Sequence, residues 1–174
     1  MNIRPSLDAD KPALRALHEE AFGDEEGVVV ARLALALLDD PTAQPLLSLV
    51  VEEDGGVHGH VIFSALTLDH HPAPQLRIMA PLAVTKARQG DGLGARLIEE
   101  GCRQLQADGV ECVMVLGDPA YYSRHGFTSV HALRPPYELA RPDAWMARPL
   151  APDALSSWQG VVNAADALNA RQLW

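Results

Sequence analysis

The most chemically informative stretch of the chain is Pro81-Leu82-Ala83-Val84-Thr85-Lys86-Ala87-Arg88-Gln89-Gly90-Asp91-Gly92-Leu93-Gly94-Ala95-Arg96-Leu97. An apolar run ends and a loop passes through Gly90, Gly92 and Gly94. A helical pattern then begins, carried by Leu93, Leu97, Ile98 and Leu105. Glycines at such a junction let the backbone take positive φ and let a ligand approach closely. The first amides of the helix have no intrahelical acceptor, and the helix dipole adds partial positive charge there. Together these features suit a pyrophosphate. Rival readings remain. A glycine-rich turn can hold no ligand at all. A P-loop needs Gly-Lys followed by Ser or Thr, which is absent. A dinucleotide fingerprint needs this turn in an early βαβ unit, with an acidic residue at the end of the next strand. Asp118 falls about there, but the segments before the loop predict a hairpin.

Other residues could also do chemistry. His58 and His60 fall on one face of a strand by alternation. That spacing permits metal binding, but no third ligand is evident, and no metal site is expected. Cys102 lies in a helical pattern and Cys112 in a strand pattern, without close metal or redox spacing. They are expected to be reduced, buried thiols and poor candidates for an acyl-enzyme. Asp118-Pro119 is the signature of a helix N-cap followed by proline at the first helical position.

These residues must be positioned by the elements around them. Asp8 to Pro12 opens a helix that Gly23 ends, and a second runs from Glu25 to Leu38 before Asp39-Asp40-Pro41. Strands are expected at 46–53 and 57–68, joined by the turn Asp54-Gly55-Gly56, and at 76–84 after a loop from Asp69 to Gln75. The helix after the glycines ends near Gly109. Cys112 to Leu116 reads as a fully buried parallel strand. A short helix from Pro119 to His125, a strand from Phe127 to Val130 and a last strand at 145–147 follow. Gly160 to Trp174 has weak helical character. The order predicts a mixed α/β sandwich around one sheet. The 174 residues make one domain, with a core over about 3–150 and an extension over 151–174.

Composition narrows the function. Lys+Arg 14 against Asp+Glu 23 gives a net charge of −9, and no large basic face for nucleic acid. No run approaches the roughly 20 apolar residues of a membrane span, and the N-terminus has no signal-peptide run. A cytoplasmic location, with neither nucleic acid nor membrane as partner, is the expectation. On so acidic a chain, a polyanion would have to be held locally by backbone dipoles.

Gln89-Gly90-Asp91-Gly92-Leu93-Gly94 after Leu82-Ala83-Val84 resembles motif A of the GNAT superfamily, the acyl-CoA-dependent N-acetyltransferases. Tyr121-Tyr122-Ser123-Arg124-His125-Gly126-Phe127 resembles that superfamily's aromatic-Tyr-x-x-x-Gly-Phe motif. Leu116-Gly117-Asp118-Pro119 looks like a bacterial subgroup of predicted acetyltransferases. The resemblance covers about residues 3 to 150. It implies helices on both faces of a central mixed sheet that splays between two strands at a CoA cleft. Leu82 and Val84, with Ala83 between them, would bind pantetheine, and the amides of Gln89, Gly90, Asp91, Gly92, Leu93, Gly94 and Ala95 the pyrophosphate. Arg88 and Arg96 would flank the phosphates or be solvated. Tyr122 would be the general acid that protonates the leaving thiolate, and Tyr121 a packing ring. Arg124 would reach CoA or be a surface charge, and Gly126 would end the helix in a left-handed conformation.

The general base is the gap. Relatives place a glutamate near the middle of the strand before Leu82, but Ile78, Met79, Ala80 and Pro81 cannot accept a proton. Asp118 and His60 are the side-chain candidates, and a water chain or an amine already neutral is the alternative. The resemblance implies acetyl, or another short acyl, transfer from acetyl-CoA to an amine by direct attack in a ternary complex. The competing function is a non-catalytic acyl-CoA sensor or interaction protein. The first two helices and the loop Asp69 to Gln75 should line the acceptor side. Glu19, Glu20, Asp24, Glu25 and Glu26 form either an attractor for a cationic small molecule or peptide amine, or a solvated face. The chain is expected to be a monomer or homodimer, with its tail docked on its own domain or on a neighbour.

Overall fold

The computed structural model describes the backbone of residues 1–174 and all side chains except those of Pro72 and Pro74. Strand β1 (Asn2–Pro5) precedes helices α1 (Lys11–Phe22) and α2 (Asp24–Asp39). Strands β2 (Leu47–Glu53), β3 (Gly56–Leu68) and β4 (His71–Val84) form a meander. Helix α3 (Leu93–Ala107), strand β5 (Cys112–Leu116) and the short helix α4 (Pro119–Tyr122) follow. Strands β6 (Ala132–Arg134) and β7 (Trp145–Pro149), the turn-length α5 (Ala154–Ser157) and β8 (Gln159–Val161) complete the chain.

The main sheet has the order β1-β2-β3-β4-β5-β7, and β6 pairs with β8 beside it. Only β4 and β5 run parallel within the main sheet; its other neighbours are antiparallel. The sheet is covered on both faces, which is why β5 is a continuous apolar run and β3 is buried without alternation from Gly59 to Leu66. On one face Ala34 and Leu37 of α2 pack with Ile62, Leu66, Ile78 and Met114. On the other Leu93, Leu97, Ile98 and Cys102 of α3 pack with Val61, Phe63, Met79 and Val113. Helices α1 and α2 approach so closely that a Cβ on Gly27 would fall 2.5 Å from the Glu19 carbonyl oxygen. This contact fixes the helical hairpin that walls one side of the cleft described below.

Several expectations are corrected. β1 was not anticipated, because four residues carry too little pattern to separate from a loop. β4 begins at His71, so the expected loop from Asp69 shrinks to a turn at Asp69-His70; the side chains of Pro72 and Pro74 lie outside the described residues. The strand expected over Phe127–Val130 is a single bridge, Thr128 to Ala147. The tail holds no α-helix over 160–174. It forms β8 and short 3-10 turns, and Val162, Ala165 and Leu168 enter the α2-side core. Backbone amides of Asp166 and Ala167 donate to Thr42 Oγ1 and Asp40 Oδ2, both at 2.8 Å, so the tail is docked on its own domain.

Candidate active site

The cleft originates in the sheet. β4 and β5 pair only from Leu76 to Ile78 against Cys112 to Met114. Beyond that point β4 continues with β3 and β5 with β7. The β3–β4 register also slips: Phe63 faces Met79 but Val61 faces Leu82, so Ala80 and Pro81 bulge. A bulge bends its strand and ends regular pairing. The edges of β4 and β5 therefore separate, and cavities open on both sides of the gap.

The first cavity, about 570 Å³, lies on the α3 side. Leu82 and Val84 form one wall, the glycine loop and start of α3 another, and Tyr121, Tyr122, Arg124 and His125 the third. Gly92, the N-cap of α3, sits at φ 80°, where a side chain would be strained. The helical ladder starts with the amide of Arg96 donating to the Gly92 carbonyl at 3.1 Å. The amides of Leu93, Gly94 and Ala95 thus have no intrahelical acceptor. A Cβ on Gly94 would lie 2.7 Å from the Tyr121 hydroxyl, so only glycine admits that ring so close to the loop.

Of the residues expected to contact CoA, Leu82, Val84, Arg88, Gln89, Gly90, Gly92, Leu93, Gly94 and Ala95 line this cavity. Ala83 does not; strand alternation turns it to the opposite face, buried across from His60. Asp91 does not either, and its carboxylate accepts from Arg88 Nε at 2.8 Å. Arg88 also forms an ion pair with Glu53. Two carboxylates therefore already balance its charge, and they hold its guanidinium pKa above the ordinary value.

The second cavity, about 460 Å³, opens on the α2 side and shares Leu82, Tyr121 and Tyr122 with the first. Tyr122 stands at the junction. Its ring packs edge-on to Phe127, with centroids 5.6 Å apart, and against Gly117, where a Cβ would fall 2.3 Å from Cε2. Desolvation raises its hydroxyl pKa well above the ordinary 10, helped by Tyr121 and Asp118, so the phenol is protonated at neutral pH. Tyr121 is also raised by burial, and the Arg124 guanidinium lies 5.6 Å from its ring centroid. Asp118 lines the second cavity, but one oxygen accepts from the Ala120 amide at 3.0 Å, the N-cap geometry its sequence suggested. Gly126, at φ 78°, ends the turn after α4.

His60 lies outside both cavities. It is fully buried, with Nδ1 2.8 Å from His18 Nε2 and Nε2 2.8 Å from Ser48 Oγ. Desolvation pushes its pKa down to about 3 and that of His18 to about 4. Both ring nitrogens are engaged and no cavity reaches them, so His60 is a core residue rather than a base facing the cleft. His58 occupies the β2–β3 bulge. Among the described residues, no group of three or more His, Cys, Asp or Glu could hold a metal ion. Among the described residues no helix is long and apolar enough to cross a membrane.

The acceptor-side expectations divide. α1 and α2 do line the second cavity, through Phe22, Glu26, Val30 and Leu33. The Asp69–Gln75 segment does not; His70, His71 and Gln75 face a separate cavity with Trp158. Of the acidic residues near the helix junction only Glu26 reaches the cleft wall. Leu173 also lines it, and no sequence signal pointed there, because a lone leucine in an Ala-rich tail carries no pattern.

Residues 45–129 match the family model described as an acetyltransferase (GNAT) domain. The uncharacterized N-acetyltransferase YhbS of Escherichia coli K12 is 36% identical over 93% of this chain and 95% of its own length. The uncharacterized N-acetyltransferase YjhQ of the same strain is 39% identical over 68% of this chain; the match spans 65% of YjhQ, just under two thirds. The crystal structure of E. coli YhbS in complex with CoA superposes with a TM-score of 0.87 at 35% identity, covering 97% of this chain and 92% of that one. A GNAT acetyltransferase from Brucella melitensis in complex with acetyl-CoA gives a TM-score of 0.77 at 30% identity, covering 97% of both chains. A domain with a splayed mixed sheet and a glycine loop at a helix N-terminus is thus an acyltransferase fold. This chain belongs to the GNAT family of acetyltransferases.

Proposed function

We propose that this protein binds acetyl-CoA in the first cavity and transfers the acetyl group to an amine that enters through the second. The observation that carries the reading is the parting of β4 from β5 after Ile78, which joins a cavity at an open helix N-terminus to one on the other face, with Tyr122 between. The CoA and acetyl-CoA complexes of the two relatives support the same cosubstrate here.

In this reading the free edge of β4 at Leu82 and Val84 hydrogen-bonds pantetheine as an added strand would. The amides of Gly90, Gly92, Leu93, Gly94 and Ala95 hold the pyrophosphate, while those of Gln89 and Asp91 donate to the Lys86 and Arg88 carbonyls, both at 3.3 Å; the α3 dipole supplies the positive field that a chain of net charge −9 otherwise lacks. Arg88, with its own carboxylate partners, shapes the loop more than it binds phosphate. The amine nitrogen attacks the thioester carbonyl carbon to give a tetrahedral intermediate. The C–S bond then breaks, and the thiolate takes the proton of the Tyr122 hydroxyl. The amine's proton leaves to water or to Asp118, and Tyr122 regains its own from solvent. Burial keeps Tyr122 protonated until the thiolate forms.

Release of free thiol from acetyl-CoA in the presence of amines tests the reaction. Tyr122→Phe removes one oxygen and keeps the packed ring, so kcat should fall roughly 10²- to 10⁴-fold while acetyl-CoA affinity stays within a small factor. Tyr121→Phe should cost much less. Equal turnover in parent and Tyr122→Phe would make the tyrosine structural. Tight CoA binding with no turnover on any bound amine would favour a sensor.

A further inference from the structure

The two cavities meet at Leu82, Tyr121 and Tyr122 but differ in charge. Apart from the tyrosines, the ionisable side chains lining the first are Arg88, Arg124 and His125, with no carboxylate. Those lining the second are Glu26 and Asp118, with no basic residue. Between these carboxylates stand apolar side chains. Phe22, Val30 and Leu33 come from the helical hairpin, and Leu173 comes from the C-terminal segment. Leu173 is held there by its neighbour: Trp174 packs on Trp145, with centroids 5.6 Å apart, and donates its indole N–H to the Leu168 carbonyl at 2.8 Å.

We infer that the acceptor is a primary amine carried on an apolar body, and that the C-terminal Leu173 helps to select it. The inference rests on the acetyl-transfer reading and adds the substrate class to it. Carboxylates as the only charges on this wall favour a cation entering from solvent. The amino group is drawn toward Asp118 and Tyr122, where the amide bond forms as the C–S bond breaks. The body then lies on Phe22, Val30, Leu33 and Leu173, whose side chains offer apolar contact and no hydrogen-bond partner. A hydroxyl-rich amino sugar would bury polar groups there without partners. The inner ammonium of a polyamine would face the same apolar surface. A site of this kind discriminates against polar competitors more strongly than it ranks apolar ones among themselves.

The test uses the intact protein saturated with CoA. 2-Phenylethylamine, spermidine and glucosamine are titrated by calorimetry, and each is then assayed for thiol release from acetyl-CoA. The expected result is a kcat/KM for 2-phenylethylamine at least about tenfold above the other two. Leu173→Asn, close in size and uncharged, should weaken its binding by about tenfold with CoA affinity unchanged. Glu26→Lys, at an exposed position where folding is not at stake, should lower its kcat/KM several-fold, and by less at high salt. The inference is overturned if spermidine or glucosamine matches 2-phenylethylamine, if none of the three binds, or if both variants treat 2-phenylethylamine as the parent does. Binding of 2-phenylethylamine without thiol release keeps the site and removes the transfer reading. Release with glucosamine alone does the reverse.

Discussion

Lowering the pH from 7 to 5 should destabilise this protein through His18 and His60. Both rings are fully buried and hydrogen-bonded to each other at 2.8 Å, and burial depresses both pKa values, to about 4 and about 3. In an unfolded chain a histidine titrates near 6.5. The folded values are the lower ones, so the unfolded state takes up protons first as the pH falls. The stability is whole above about pH 7, declines through 6.5, and goes on declining until the folded rings protonate near 4 and 3. Between pH 7 and 5 the folded pair stays neutral, so the unfolded histidines alone set the loss. It amounts to about 2 kcal/mol for each and about 4 kcal/mol for the pair. That is a large share of the roughly 5–15 kcal/mol that holds a domain together. The carboxyls of Asp10 and Glu100, held low by hydrogen bonds from Arg4 and Arg103, act in the same direction. Their unfolded values near 4 place most of that effect below pH 5. Urea unfolding followed by circular dichroism at pH 7, 6 and 5 measures the loss. His18→Gln removes one titrating ring and leaves an amide beside His60, so the loss should fall to about 2 kcal/mol. Equal stability of the parent at pH 7 and pH 5, or an undiminished loss in His18→Gln, would refute the neutral buried pair.

Two further outcomes concern the cleft. Gly117→Ala places a methyl 2.3 Å from Tyr122 Cε2, so the ring must shift; kcat for thiol release should fall by about 10²-fold with acetyl-CoA affinity nearly unchanged. Gly92→Val forces a β-branched residue to φ 80°, a strain of about 1–3 kcal/mol, and reshapes the loop. Calorimetry should then show acetyl-CoA binding lost while the far-UV circular dichroism spectrum is retained.

Much of the cofactor side was legible because its physics is local. A strand end, glycines that permit positive φ and the first turn of an amphipathic helix lie within one short stretch. That stretch supplies two walls of the first cavity, Leu82 with Val84 and the glycine loop, and Tyr121, Tyr122, Arg124 and His125 close the third. Asp118-Pro119 likewise announced its cap, and the Ala120 amide is there to be capped. The Ala83 and Asp91 side chains turn away from the cavity, since strand alternation and an ion pair decide where each one points. His60 needed more than its own strand. Alternation placed it beside His58, but its environment comes from Ser48 on β2 and His18 on α1, which only the packed sheet brings to it. The second cavity is wholly a product of tertiary structure. Glu26, Asp118 and Leu173 belong to a helix, a cap and the chain's end, and no sequence period relates them. They meet because β4 bulges at Ala80-Pro81 and leaves β5, and because the tail docks just past the end of α2 through Asp40 and Thr42. Residue type and local spacing therefore determined which chemistry the chain carries. Which acceptor that chemistry reaches is decided by long-range packing, whose partners lie too far apart in sequence for local pattern to encode.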